Sequence, residues 1–353
     1  MRALVSSDDQ NQITGIDFSP LSQYSNIEVT DGDVLQLRKL AADGGLDELE
    51  TLDFTYARRI TDKSCQYMAS LERLKHLRMP RVSITDAGVR SLAGLAALES
   101  LDLSVSKITS AGLTPLGQLK NLRELRLEAV KINGDSLTAL SGLKQLHRLV
   151  LRDSLIEAAG LQYLKELPAL RSLDLGLTKL NDQGLAIVGE LASLTSLRIG
   201  DTYITSVGAQ QLEKLSNLTH FDISRTDIDD NALQGVGKLA NLERLDVHEC
   251  RVGDEGVGYL VGLKRLKELN LSDTLITDAA AVHLAQLENL EVLHVWNASI
   301  SDTSLLQFAD LVKLKELWLM GTDVTEKGVE ELRKMIPDVS VDGPSTTQNE
   351  SPM

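Results

Sequence analysis

The sequence predicts an α/β solenoid: a curved coil of strand–turn–helix units, with a parallel sheet lining the concave face and short helices on the convex face. Three observations carry this. A near-identical phrase returns every 24 residues, with Leu98, Leu122, Leu146, Leu170, Leu194, Leu218, Leu242, Leu266, Leu290 and Leu314 opening successive copies. Within each copy, apolar residues fall at positions 1, 4, 6, 11, 16, 19 and 22. Aromatic residues make up only 3% of the chain, so the core has to be built from Leu, Ile and Val. A fixed period of this length marks a unit that cannot bury its apolar face alone and does so by stacking on its neighbours.

The copy LESLDLSVSKITSAGLTPLGQLKN, from Leu98, shows how each element arises. Positions 3 to 7 alternate, which is strand periodicity, so Leu101 and Leu103 point inward and Ser100, Asp102 and Ser104 outward. Position 12 is an N-cap type in nearly every copy, as at Thr61, Thr85, Thr109, Asn133, Asn181, Thr205, Asp229, Thr277, Ser301 and Thr325; Glu157 and Gly253 depart. Position 13 is often acidic (Asp62, Asp86, Asp182, Asp254, Asp278, Glu326), which suits the helix dipole, and capping is preferred over metal ligation for these carboxylates. Leu113, Leu116 and Leu119 carry the spacing of three that follows in a helix. Position 15 is always small, from Ser64 and Gly88 to Ser304 and Gly328, which implies close approach of neighbouring backbones. Strands stack about 4.8 Å apart whereas packed helices need roughly 8–10 Å, and the mismatch predicts the curvature.

The repeats occupy residues 49–336 in twelve copies, the first with one inserted residue. Residues 1–12 are expected to be a flexible N-terminus. Residues 13–48 read as a divergent capping repeat: Ile13, Ile16 and Phe18 resemble a strand, Val29-Thr30-Asp31 echoes the helix start, and the insertion from Pro20 to Ile27 is not repeat-like. Pro337 ends the last helix, residues 337–342 are expected to add a cap strand, and residues 343–353 a disordered tail.

These residues resemble the leucine-rich-repeat superfamily, whose phrase is L-x-x-L-x-L-x-x-N/C-x-L. The ITDxGL phrase, as in Ile84–Val89, is similar to that of short-repeat bacterial leucine-rich-repeat proteins and of repeats attached to F-box ubiquitin-ligase receptors. The resemblance implies a binding module. Position 9, often Asn in the family, is here Ser106, Ser154, Thr178, Thr202, Thr226, Cys250, Thr274 or Thr322, and also Val82, Val130 and Ala298, so an asparagine ladder is absent. Cys250 reads as a small core filler, and Cys65 takes a Leu slot. Eight repeats apart, these two cannot form a disulfide.

A net charge of −15 disfavours nucleic acid and anionic lipid as partners. The N-terminus lacks the apolar core of a signal peptide and no run is long enough to span a membrane, so a cytoplasmic location is expected. On the concave face, column five reads Asp53, Arg78, Asp102, Arg126, Val150, Asp174, Arg198, Asp222, Asp246, Asn270, His294 and Trp318. The preferred reading is a self-neutralised charge ladder, with Glu124–Arg148, Glu128–Arg152 and Arg244–Glu268 as further lateral pairs. His220, His248 and His294 face the same side but are too spread for a metal site. No catalytic motif and no cofactor signature appears. The exception to this bland surface is C-terminal. The chain's two tryptophans, Trp296 and Trp318, fall in consecutive repeats on the concave face beside His294 and Met320. With His248, these form the expected partner-binding site, because exposed aromatic patches mark interaction surfaces. The expected function is a non-enzymatic scaffold that binds a protein. The alternatives are a substrate-recognition subunit of a ubiquitin ligase, an enzyme or enzyme regulator using the acidic column around Asp222 and Asp246, a homodimer formed through the patch, and a patch covered by the tail.

Overall fold

The computed structural model describes residues 4–10, 12–19 and 28–344. The chain divides into two compact units, Met1–Lys179 and Leu180–Met353, each built of the same repeat. In the first, strands β1 (Leu4–Ser7), β2 (Ile13–Asp17), β3 (Thr51–Asp53), β4 (His76–Arg78), β5 (Ser100–Asp102), β6 (Glu124–Arg126), β7 (Arg148–Val150) and β8 (Ser172–Asp174) lie in chain order. The second holds β9 (Ser196–Arg198), β10 (His220–Asp222), β11 (Arg244–Asp246), β12 (Glu268–Asn270), β13 (Val292–His294), β14 (Glu316–Trp318) and β15 (Ser340–Asp342), again in chain order. From β2 onward the pairs within each unit are parallel, and equivalent repeat positions stand side by side, as Leu245 against Leu269.

The core is the set of apolar slots named by the period. In the copy from Leu98, all seven slots (Leu98, Leu101, Leu103, Ile108, Leu113, Leu116 and Leu119) are buried. Both cysteines are free and buried. Burial, with the negative charges of Asp62 and Asp31 adding to it, pushes the Cys65 thiol up to about 12. Burial also raises that of Cys250, whose Sγ lies 3.4 Å from the Ile223 carbonyl oxygen.

The N-terminus corrects two expectations. Residues read as flexible form β1, and β1 runs antiparallel to β2, so the sheet strands are not all parallel. The reason is connection length: only residues 8–12 join the two strands, whereas a parallel crossover needs about a dozen or more. The Asp8 carboxylate organises that turn by accepting from the backbone N–H groups of Gln10 and Gln12, each at 2.9 Å. Phe18, just past β2, stacks on Phe54 with ring centroids 5.1 Å apart. The helix Asp31–Ala42 starts at Thr30 and buries Val34 and Leu37. The insertion at residues 20–27 and the tail at 345–353 lie outside the described residues. At the other end, β15 pairs in parallel with β14.

Two devices that tie one repeat to the next were not read from the sequence. The position-13 aspartate does more than complement its own helix dipole. Asp62 Oδ1 and Oδ2 accept from the backbone N–H (2.8 Å) and hydroxyl (2.7 Å) of Thr85, the N-cap of the following repeat. Asp86 holds Thr109, Asp182 holds Thr205, Asp254 holds Thr277 and Asp302 holds Thr325 in the same way. This also explains the small residue at position 15. A Cβ at Gly88, Gly112, Gly256 or Gly328 would run into the preceding repeat's carboxylate rather than into backbone. At Ser64 and Ser304 the serine hydroxyl donates to that carboxylate instead. Position 8 is the second device. Tyr56, Arg81, Val105, Ala129, Asp153, Leu177, Asp201, Arg225, Glu249, Asp273 and Asn297 all have φ between 52° and 67°, the left-handed region that L side chains avoid. Inter-repeat hydrogen bonds hold most of them there: the Val105 N–H donates to the Glu128 carbonyl at 2.7 Å, and the Asp273 N–H to the Trp296 carbonyl at 2.9 Å. Position 9 completes the turn, with the Thr202 and Thr274 hydroxyls donating to the carbonyls of Ile199 and Leu271 three residues back, the job asparagine does by a different route.

Candidate functional site

Side chains at repeat positions 3, 5 and 7 leave the solvent face of the sheet. In the second unit they surround two adjoining hollows. The first, about 280 Å³, is polar and is lined by Arg198, His220, Asp222, Arg244, Asp246, Glu268, Asn270 and His294 over the strand leucines. The second, about 210 Å³, is bounded by His294, Trp296, Trp318, Met320 and Asp342. His294 belongs to both.

The strand register assembles the second hollow. Parallel pairing sets His294 beside Trp318, and Trp318 beside Asp342. The His294 and Trp318 rings stack with centroids 5.3 Å apart and planes 17° from parallel. Trp296, Trp318 and Met320 remain 42%, 37% and 55% exposed, a high value for side chains of this size and apolarity. Burial lowers the His294 pKa below the ordinary histidine value, although Glu268, Asp246 and Glu316 pull the other way. Burial thus favours the neutral imidazole. The structure brings together four of the five residues expected in the site. His248 lines neither hollow; its Nδ1 lies 2.7 Å from the Asp246 carboxylate. Asp342 was missed as a site residue. The signal for it was present, because it stands one 24-residue step beyond Trp318 in column five.

The acidic column has a local task that the charge alternation hid. At the end of a strand the position-7 N–H points away from the ladder, and the position-5 carboxylate accepts from it. Asp53 takes the Thr55 N–H at 2.8 Å, Asp102 that of Ser104 at 3.0 Å, Asp222 that of Ser224 at 3.1 Å and Asp246 that of His248 at 3.0 Å. This is an Asx-type turn. It leaves Asp102 almost fully buried rather than projecting into a ladder. Some lateral ion pairs do form: Arg78–Asp53 at 3.2 Å, Arg148–Glu124 at 3.4 Å and Arg244–Glu268 at 3.3 Å. Arg126 turns back along its own strand to Glu124 at 2.8 Å. Burial raises the Asp222 pKa and the neighbouring Asp246 charge adds to it, against the lowering by the Ser224 hydroxyl and N–H. Burial, and then the Arg244 charge, depresses that of His220. Among the described residues no group of three His, Cys, Asp or Glu side chains could hold a metal ion, and no helix is long and apolar enough to cross a membrane.

Comparison with known proteins agrees with this geometry. Residues 155–341, just over half of the chain, match the family described as a leucine-rich repeat region. The chain belongs to the leucine-rich repeat family. Its fold is similar to that of an internalin from Listeria monocytogenes, with 22% sequence identity, 80% of this chain and 83% of that one covered, and a TM-score of 0.60. It is also similar to a leucine-rich-repeat protein of Leptospira interrogans, with 16% identity, 92% and 98% covered, and a TM-score of 0.52. No curated protein matches the chain. Likeness at this level of identity establishes the fold of the repeats and leaves the function to the surface.

Proposed function

We propose that this leucine-rich repeat protein is a non-enzymatic scaffold that binds a protein partner on the solvent face of its sheet, anchored at the hollow of Trp296, Trp318, His294 and Met320. One observation carries the reading: both tryptophans of the chain stand exposed in one hollow of about 210 Å³ on the sheet face. Tryptophan is the residue most enriched among interface hot spots, and large exposed apolar side chains gathered in one patch mark interaction surfaces. The family supports the class, since solenoid repeats work by presenting extended surfaces. The Asp222 and Asp246 carboxylates, engaged by their own turns, support binding over acid–base chemistry. Two free buried thiols suit a reducing compartment such as the cytoplasm.

The test is affinity for a partner captured by the wild-type chain. Trp296→Ala and Trp318→Ala should each raise Kd by about thirtyfold, the loss of a hot-spot side chain, with the far-ultraviolet circular dichroism unchanged. Glu124→Ala, in the first unit's ion-paired region, should change Kd little. Equal losses for all three variants, or none, would overturn the reading. Concentration-dependent sedimentation abolished by the same tryptophan variants would make the partner a second copy of the chain.

A further inference from the structure

The sheet begins at β1, and among the described residues no strand pairs with its outer edge. Such an edge offers its unpaired backbone N–H and C=O groups to any other strand, and proteins blunt it with proline, with charge or with a covering element. At the other end of the strand order, β15 carries Asp342 on the strand and Pro344 two residues beyond it. Leu4–Ser7 has neither proline nor charge, and all four residues are exposed. The register sets Val5 beside Ile16, and Ile16 beside Leu52, so Val5 extends the inward column of core residues by one step. Leu52 and Ile16 are buried, whereas Val5 is 57% exposed. An apolar core column therefore ends on a bare valine in an unpaired strand.

The residues around Val5 point to the strand that fits there. Arg2 stands three residues before Val5 and Asp8 three residues after it. Two copies of one strand related by a twofold axis run antiparallel, and the contact is self-complementary. Directly opposite residues share a face of the sheet, so the axis has to pass through a residue pair and not between two. With the axis at Val5, Val5 opposes Val5, Leu4 opposes Ser6 and Arg2 opposes Asp8. The inward valines then cover each other, and each copy's basic end meets the other's acidic end. We propose that β1 is a self-association edge, which pairs antiparallel with β1 of a second copy of this chain in the register that sets Val5 against Val5 and Arg2 against Asp8. Four strand residues are few beside the roughly 20–30 a side of a standard interface, and each chain carries −15, so the dimer is weak and reversible. At physiological salt the Debye length is about 8 Å, which screens repulsion between the bodies of the two chains more than it weakens the contact pair. The edge shares no residue with the tryptophan hollow, and the proposal stands apart from the partner-binding reading.

Cysteine cross-linking of the full chain reads the register. Val5 and Leu4 are almost equally exposed, at 57% and 60%, and the native Cys65 and Cys250 are buried. Under a mild oxidant Val5→Cys should form a disulfide-linked dimer about tenfold faster than Leu4→Cys. Directly opposite Cβ atoms stand about 4.5–5.5 Å apart, close to disulfide reach, whereas diagonal neighbours, as Leu4 is to Leu4 of the copy, stand about 7–8 Å apart. Sedimentation of the wild type over a concentration series should show reversible dimerisation. Val5→Lys should weaken it about tenfold or more, by placing like charges directly opposite each other on the edge. Arg2→Glu should weaken it several-fold and Trp296→Ala should leave it unchanged, with circular dichroism as the control for folding; should the lysine variant not fold, the cysteine comparison decides. Equal cross-linking rates, a wild type that stays monomeric throughout the series, or a dimer that survives Val5→Lys would overturn the proposal. A dimer lost with Trp296→Ala but kept with Val5→Lys would also overturn it, and would put self-association at the tryptophan hollow.

Discussion

The carboxylate that links one repeat to the next can be tested by a double-mutant cycle at Asp302 and Gly328. Asp302 accepts from the Thr325 N–H at 2.8 Å and hydroxyl at 2.7 Å. A Cβ on Gly328 would overlap this carboxylate, to which its three nearest heavy atoms all belong. Gly328→Ala alone should therefore destabilise by about 1–2 kcal/mol, an overpacking cost of about 1–3 kcal/mol partly offset by up to ~1 kcal/mol of helix propensity. Asp302→Ala alone should cost about 2 kcal/mol, from two hydrogen bonds at ~0.5–1.5 kcal/mol each and a first-turn charge worth ~0.3–1 kcal/mol. With the carboxylate gone, the overlap is gone, and Gly328→Ala should become neutral or stabilising by up to ~1 kcal/mol. The sign of one substitution thus depends on the other, with a coupling of about 2 kcal/mol. Urea unfolding followed by tryptophan emission measures it locally, because Trp296 shares a repeat with Asp302, and Trp318 shares one with Gly328. Additivity within ~0.5 kcal/mol, the behaviour of independent sites, would refute the proposed contact.

Three further outcomes are expected. Leu245, 1% exposed in a mid-unit strand, should cost about 2–5 kcal/mol when cut to alanine; a loss below ~0.5 kcal/mol in denaturant titration would break the assigned inward register. Val105→Gly should stabilise by up to ~1 kcal/mol, because a β-branched residue is held at φ 56° in a conformation that costs it about 1–2 kcal/mol and glycine little, against the glycine's greater unfolded-state entropy; a loss of stability in the same titration would show that the turn relies on the valine side chain. On acidification, burial would raise the Asp278 pKa, but hydrogen bonds from Ser301 and Ser304 outweigh it and hold the carboxyl below its ordinary value. Its folded pKa being depressed, it contributes stability present above the ordinary carboxylate value of about 3.9 and lost as pH falls through the folded value. The urea-midpoint gap between wild type and Asp278→Asn should therefore narrow as pH drops below about 4, and a gap constant with pH would contradict it.

The sequence by itself determined the repeat, its register and its core, because those follow from period. A leucine that recurs every 24 residues at an inward slot has one way to be buried, so Leu98, Leu101 and Leu103 could be placed before any coordinate. The period also put Trp296, Trp318, His294 and Met320 on one face, and it would have added Asp342 had the column been carried one step further. Tertiary structure alone decided what joins the repeats. The left-handed residues at position 8 follow no residue-type rule, since Val105, Ala129, Arg225 and Glu249 share only a backbone conformation enforced by the next repeat's carbonyl. Asp53 and Asp102 looked like half of a charge ladder, yet their carboxylates close their own turns. Asp62 and Asp254 looked like dipole complements, yet they hold the N-cap of the following repeat 23 residues away. A carboxylate has several donors within reach of one repeat's geometry. The choice among them depends on distances between neighbouring coils, which a linear pattern does not encode and packing sets.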